Sequence, residues 1–378
     1  MTYRRAVIPA LTGGLLLTAL LWWAGASADA LHLPGSAGTL GVDALAELRR
    51  WLAPWAYDPP AFLDAGAAVS GYVPDTSGGD DRAYYGGLYT TGLQIRFGTV
   101  FVSFVLGALL LIRRLPPLRG RTTAAFLALW AWAAVAGTLA VTVSAPWLIA
   151  STGHGSYRFL PQLANVIASG RQLPVAVGLV VAAATVLVAR ITAGNADRPP
   201  RTDVPARPAR LAATAGAAVI ALSLVVLSYR SVAAALQAFS PAGGLLSEPG
   251  DLLRQWLLLG AWSGPEGGPL GDWLLYRAPD VLLLAVVWWA LRRLPGLLTR
   301  ATLPAMAVGA VCATVLGLLA SQLLRIVVTR IGTDQGLPYS SAGVGDGIPA
   351  ALLLGTVAGV TTTLVLRASL RGTRAAGA

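Results

Sequence analysis

Arg96, in LQIRFG, and Arg277, in LLYRAP, stand at comparable places in the chain, each just before a long apolar run. A guanidinium is a planar fork of donors, so two of them converging on one spot would suit a phosphate or an anionic lipid headgroup. Arg325 and Asp280 also border apolar runs and extend this set of charged candidates. An arginine at such a border has a plainer use as well, because its long stem lets the charge reach the membrane surface. The paired acids Asp80 and Asp81, in TSGGDDRAYYGG, offer carboxylates for a divalent ion or for sugar or phosphate transfer. They lie some 55 residues beyond the first apolar run, and a solvated loop accounts for them equally. His154 and Ser156, in GHGSYR, are neighbours, but glycine-flanked residues without a positioned acid do not make a triad.

Other chemistry lacks residues to carry it. Cys312 is the single cysteine and lies inside an apolar run, which excludes an internal disulfide framework, a cysteine-rich metal site and a CxxC redox pair. Two histidines, His32 and His154, leave few ligands for zinc or haem. No catalytic residue, metal or cofactor is therefore assigned, and the reading leans away from an enzyme. Nucleic acid is excluded as a partner, because the basic residues form no patch on a soluble face.

The elements that must position these residues are membrane spans. The chain has 378 residues, 55% hydrophobic and only 12% charged, with a mean hydropathy of +0.65. Such a chain has the bilayer as its solvent. Eight apolar runs are expected to cross it, at about 6–25, 97–112, 123–146, 173–189, 211–229, 279–291, 303–326 and 349–366. All 28 basic residues are arginine. The N-terminus, the turns after spans two, four and six, and the C-terminus collect 17 of them against two acids, Asp197 and Asp203. The other side holds 11 arginines and 15 acids, so the positive-inside rule puts both termini in the cytoplasm. Arginine without lysine, with heavy use of alanine, glycine and leucine, points to a GC-rich bacterial source and hence to a bacterial plasma membrane. Residues 1–28 could alternatively be a cleaved leader, with ASA at 26–28 as the cleavage site, which would leave seven spans.

An internal duplication argues for keeping the first span. Shifted by 205, residues 30–60 align with 235–265 without a gap and share 11 identities in 31 positions, among them Leu48, Arg49, Trp51 and Leu52. At a shift of 179 the RRLP of 113–116 falls on that of 292–295. At 177, Gly170 meets Gly347, Gly178 meets Gly355 and Arg190 meets Arg367. The expected fold is all-α and polytopic, with two parallel four-helix repeats related by a pseudo-two-fold axis along the membrane normal. The repeats occupy 1–195 and 211–378, joined by a cytoplasmic linker at 196–210. The first carries an insertion at about 61–95, the one large asymmetry between them.

Outside the membrane, a helix at about 43–53 would place Leu45, Leu48, Trp51 and Leu52 on one face, with Glu47, Arg49 and Arg50 elsewhere and Pro54 ending it. Leu252, Leu253, Trp256 and Leu257 repeat the pattern. Trp51, Trp55, Trp256 and Trp262 are then expected as anchors at headgroup depth. The segments 153–170 and 333–347 read as matching outer loops. Two functions fit: a non-enzymatic membrane protein whose extracytoplasmic platform binds a protein or a lipid-linked envelope component, or a transporter or lipid-handling permease with its path between the repeats.

Overall fold

The computed structural model describes residues 3–32, 41–57, 78–117, 120–152, 159–193, 205–227, 229–240, 247–259, 270–332 and 343–375. Trp262, the segment 58–77, most of the linker and residues 333–342 lie outside the described residues. The regular structure among the described residues is helical throughout. In chain order the helices are α1 (Tyr3–Ala26), α2 (Val42–Leu52), α3 (Gly78–Arg114), α4 (Thr122–Ala150), α5 (Phe159–Ser169) and α6 (Gln172–Ala193). There follow α7 (Ala206–Leu222), α8 (Arg230–Gln237), α9 (Gly250–Leu257), α10 (Leu270–Leu297), α11 (Leu303–Gly332) and α12 (Ile348–Ala375). Hydrocarbon offers backbone groups no partner, so a spanning segment must satisfy them internally, and helices do. Hydroxyls inside these helices turn back on their own backbone: Thr185 donates to the Val181 carbonyl at 2.7 Å and Thr362 to that of Ala358 at 2.7 Å.

Among the described residues, seven helices are long and apolar enough to cross a membrane: the segments Ala6–Ala26, Tyr84–Arg114, Thr122–Ala150, Phe159–Ala193, Ala206–Leu227, Leu303–Val328 and Ile348–Arg371. The chain has the character of a multi-pass membrane protein. The sixth expected span is not among the seven. It lies in α10, whose apolar stretch runs for only 11 residues between Asp280 and Arg292.

Several elements differ from the sequence reading. Helix α3 has 37 residues, not the 16 of the apolar run 97–112, because the polar stretch from Gly78 continues the same helix. Asp80 and Asp81 therefore sit in its first turn rather than in a loop. At 1.5 Å per residue it is about 55 Å long, well beyond the roughly 30 Å of hydrocarbon. The segment 159–169 is helix α5 instead of loop, with Leu160, Ala164 and Ile167 buried along one face at helical spacing. The linker ends at Pro205, so 206–210 already belong to α7. In α2, Glu47 is buried rather than turned outward, its carboxylate accepting from Arg50 at 2.5 Å and from Trp51 Nε1 at 2.8 Å.

The packing repeats itself. Helix α1 packs on α3 and α6, α3 on α4, and α4 on α6; likewise α7 packs on α10 and α12, α10 on α11, and α11 on α12. The two bundles meet where α4 touches α11. These two helices are the most enclosed: 67% of the most apolar stretch of each is buried, against 39% for α1 and 33% for α7. Many of their buried residues are small and apolar, among them Ala131, Ala134 and Ala136 on α4 and Ala310, Val311 and Ala313 on α11, beside larger ones such as Trp132 and Leu318.

Two glycine pairs sit at corresponding helix contacts in the two bundles. A Cβ on Gly178 would lie 2.9 Å from the Ala133 side chain, and one on Gly355 would lie 2.8 Å from Val311 Cα, so α6 closes on α4 as α12 closes on α11. A Cβ on Gly170 would meet the side chains of Val141 at 2.7 Å and Pro54 at 3.6 Å. One on Gly347 would meet the Leu259 carbonyl at 2.9 Å and Leu318 at 3.4 Å. Val141 and Leu318 are 177 apart, the spacing of the glycines, and Pro54 and Leu259 are 205 apart, the spacing of the 30–60 alignment.

Candidate functional site

At the bundle end opposite the RRLP turns, each bundle holds its own arginine centre. Arg96, on α3, is only 2% exposed. Its Nε donates to Ser144 Oγ on α4 at 2.9 Å, another of its nitrogens donates to the Pro54 carbonyl, and its guanidinium lies 5.5 Å from the Trp55 ring centroid. These neighbours are neutral. Charge is here held by a hydroxyl, a carbonyl dipole and an aromatic face, a polar set that a buried cation requires in place of water.

The same centre pins the turn that follows α2. Tyr89 donates to the Ala56 carbonyl at 2.9 Å. Phe97 packs against Trp55 at 6.1 Å and stacks on Tyr57 at 6.2 Å, and Trp22 meets Tyr57 edge-on at 6.0 Å. Gly25 lets the Trp55 carbonyl approach α1, for a Cβ there would lie 2.0 Å from that oxygen. Trp55 is wholly buried, so it has no face left for headgroups. The Tyr57 hydroxyl is enclosed without a hydrogen-bond partner among the described residues, and burial pushes its phenol above the usual value.

Arg277 and Arg325 are brought together, but on a carboxylate. Asp280 accepts from Arg277 at 2.8 Å through one oxygen and from Arg325 at 2.8 Å through the other. Asp280 and Arg277 are mostly shielded and Arg325 less so, with side-chain exposures of 18%, 15% and 39%. This triad ties α10 to α11, as Arg96 ties α3 to α4. The sequence put Arg96 and Arg277 at matching places; the fold gives them different partners, one neutral and one ionic.

The remaining candidates scatter. Asp80 and Asp81 stand far up α3, in the first turn of its extension. Trp51 and Trp256 are half-buried on α2 and α9. On both short helices an arginine reaches back to the preceding segment: Arg49 donates to the Leu31 carbonyl and Arg254 to Gln237 Oε1 at 3.1 Å. Among the described residues no group of three or more His, Cys, Asp or Glu is arranged to hold a metal ion.

Sequence reasoning missed the contacts between the bundles. Arg171, between α5 and α6, pairs with Asp346 before α12 at 2.6 Å. Gln255 on α9 donates to the Ala164 carbonyl on α5 at 2.6 Å. Within the second bundle, Gln322 holds the same turn, donating to the Asp346 carbonyl at 2.8 Å and accepting from the Gly345 amide at 2.9 Å. No periodic signal marks these polar residues, because their partners lie 91 and 175 residues away, as with Ala164 to Gln255 and Arg171 to Asp346. At the other end the RRLP turns also touch, Thr299 donating its amide to the Arg114 carbonyl at 2.8 Å.

No protein-family model, curated protein or solved structure matches this chain.

Proposed function

We propose that this chain is a non-enzymatic, multi-pass plasma-membrane protein of eight spans whose extracytoplasmic face is a platform for a protein partner or a lipid-linked envelope component. One observation carries the reading. The length of α3 exceeds a bilayer's hydrocarbon, and its polar extension from Gly78 to about Leu93 stands beyond the apolar part in the segment where the halves differ. Exposed Tyr84 lies on that extension.

The repeat and the eighth crossing have their own support. Helix α10 takes the place in the second bundle that α3 takes in the first, packed on the first and third helices of its set. With 28 residues it is about 42 Å long, enough to cross. The corresponding glycine contacts at shifts of 177 and 205 agree with two parallel repeats, and the arginine excess on the RRLP side, 17 against two acids, favours both termini in the cytoplasm.

Transport between the repeats has less behind it. Helices α4 and α11 meet with the Cys312 thiol donating to the Ala128 carbonyl at 3.4 Å, and the arginine centres sit within separate bundles, engaged with Ser144 and with Asp280.

The test is site-specific photocrosslinking from Tyr84 and neighbouring positions in intact cells. Capture of one envelope component from this extension, and none from the RRLP turns, is the expected outcome. Labelling of Tyr84-position cysteines only after the cells are permeabilised would overturn the topology, and an empty capture would overturn the platform.

A further inference from the structure

The end that carries the RRLP turns holds a second, different concentration of charge. Arg113 and Arg114 close α3, and Arg292 and Arg293 lie near the end of α10, 179 residues later. The fold joins the two turns. Thr299 donates its amide to the Arg114 carbonyl at 2.8 Å and its hydroxyl to the Arg113 carbonyl at 3.5 Å, and Arg121 donates to the Gly296 carbonyl at 3.4 Å. Leu115, Pro116, Leu294 and Pro295 are buried, while Arg113 and Arg293 are exposed. By sequence this end collects 17 arginines against two acids, Asp197 and Asp203, both outside the described residues.

Two of the arginines are also held at a defined depth. Arg292 lies over the Trp288 ring at 5.5 Å and Arg293 over the Trp289 ring at 5.5 Å. Residues four apart on a helix are neighbours on one face, and side chains lean toward the helix N-terminus, so these guanidiniums fold back along α10. Trp289 is 56% exposed, so its arginine is held beside a face open to lipid. A guanidinium stacked on an aromatic face keeps its donor fork free for a phosphate.

We propose that this junction binds an anionic phospholipid by its headgroup, each arginine pair taking one phosphate, so that a two-phosphate lipid such as diphosphatidylglycerol is held more tightly than a one-phosphate lipid. The proposal rests on the spanning topology above. Nanodiscs expose both leaflets, so it does not depend on which end faces the cytoplasm.

The experiment reconstitutes the full chain in phosphatidylcholine nanodiscs, titrates diphosphatidylglycerol or phosphatidylglycerol, and reads bound lipid by native mass spectrometry. The wild-type chain is expected to retain diphosphatidylglycerol through delipidation. R113Q/R114Q and R292Q/R293Q should each weaken retention by roughly thirtyfold, two juxtamembrane charges being lost in each. R190Q/R367Q removes the same charge from the last turn of α6 and from α12 and should leave retention unchanged. Equal loss in all three variants would reduce the site to diffuse attraction, and displacement by millimolar inorganic pyrophosphate would assign it to a free phosphate instead of a lipid. The wild-type comparison of the two lipids needs no variant; equal retention of both overturns the two-phosphate assignment. A chain that does not span would fail to enter the nanodisc, which separates that failure from loss of the lipid site.

Discussion

Arg96 and Ser144 join α3 to α4 inside the protein, the guanidinium Nε donating to the hydroxyl oxygen at 2.9 Å, with Arg96 2% exposed and Ser144 0%. Ser144 passes the polarity on, donating to the Val141 carbonyl at 3.2 Å. Because water reaches neither group, each depends on the other's orientation. Replacing Ser144 by alanine leaves the Arg96 Nε without that acceptor, at a cost of about 1–3 kcal/mol for an unsatisfied buried donor. Thermal unfolding of S144A in detergent is expected at a lower temperature than wild type. An unchanged midpoint would show that the Pro54 carbonyl and the Trp55 ring suffice.

Asp280 serves two arginines, so its loss should exceed the loss of either. D280N leaves two guanidiniums facing one amide, and a destabilisation on the order of 1–3 kcal/mol is expected. R325Q, at the more exposed member, should cost less than about 1 kcal/mol. Chemical denaturation of both variants checks the order; R325Q costing more than D280N would contradict it.

The buried Tyr57 hydroxyl gives a prediction of opposite sign. Removing an enclosed group that has no partner relieves its desolvation, so Y57F should unfold at the same or a higher temperature, by up to about 1 kcal/mol. The folded-state pKa of Tyr57 is raised above its unfolded value of 10.0, so the unfolded chain loses its proton first as the pH climbs. The associated stability is fully present below that value and is lost as pH rises through the higher folded one. The alkaline limb of a stability–pH profile should therefore flatten in Y57F.

Gly178 and Gly355 test the duplication through packing. A leucine at either must push a neighbouring helix away, since even a Cβ would lie 2.9 Å from the Ala133 side chain and 2.8 Å from Val311 Cα. G178L and G355L are each expected to lose about 1–3 kcal/mol or more, and by similar amounts. A large loss in one with none in the other would mean that the two contacts are not equivalent.

The sequence alone determined the solvent, the helical class and the outline of the short amphipathic helices. Those properties follow from the period and length of apolar runs, which act through the nearest few residues and the surrounding medium. The α2 segment is one case: Leu45 and Leu52 face inward and the turn through Pro54 closes it, as their spacing requires. Helix α5 carries the same spacing in Leu160, Ala164 and Ile167, but without charged residues on its other face to mark an amphipathic helix, and it reads as a loop. The RRLP match was equally visible, as a resemblance at a distance.

Only the tertiary structure decided which polar groups meet. The border positions of Arg96, Arg277 and Arg325 were readable, yet nothing local could pair one with Ser144 and the other two with Asp280. Trp55 illustrates the reason most plainly. By type and place it resembles an anchor for headgroups, but the carbonyls of its turn bond to Arg96 and Tyr89 on another helix, and that closure draws the ring into the interior. A hydrogen bond between distant segments depends on where whole helices pack, and helix packing depends on the summed shape of many side chains rather than on the residues beside any one of them.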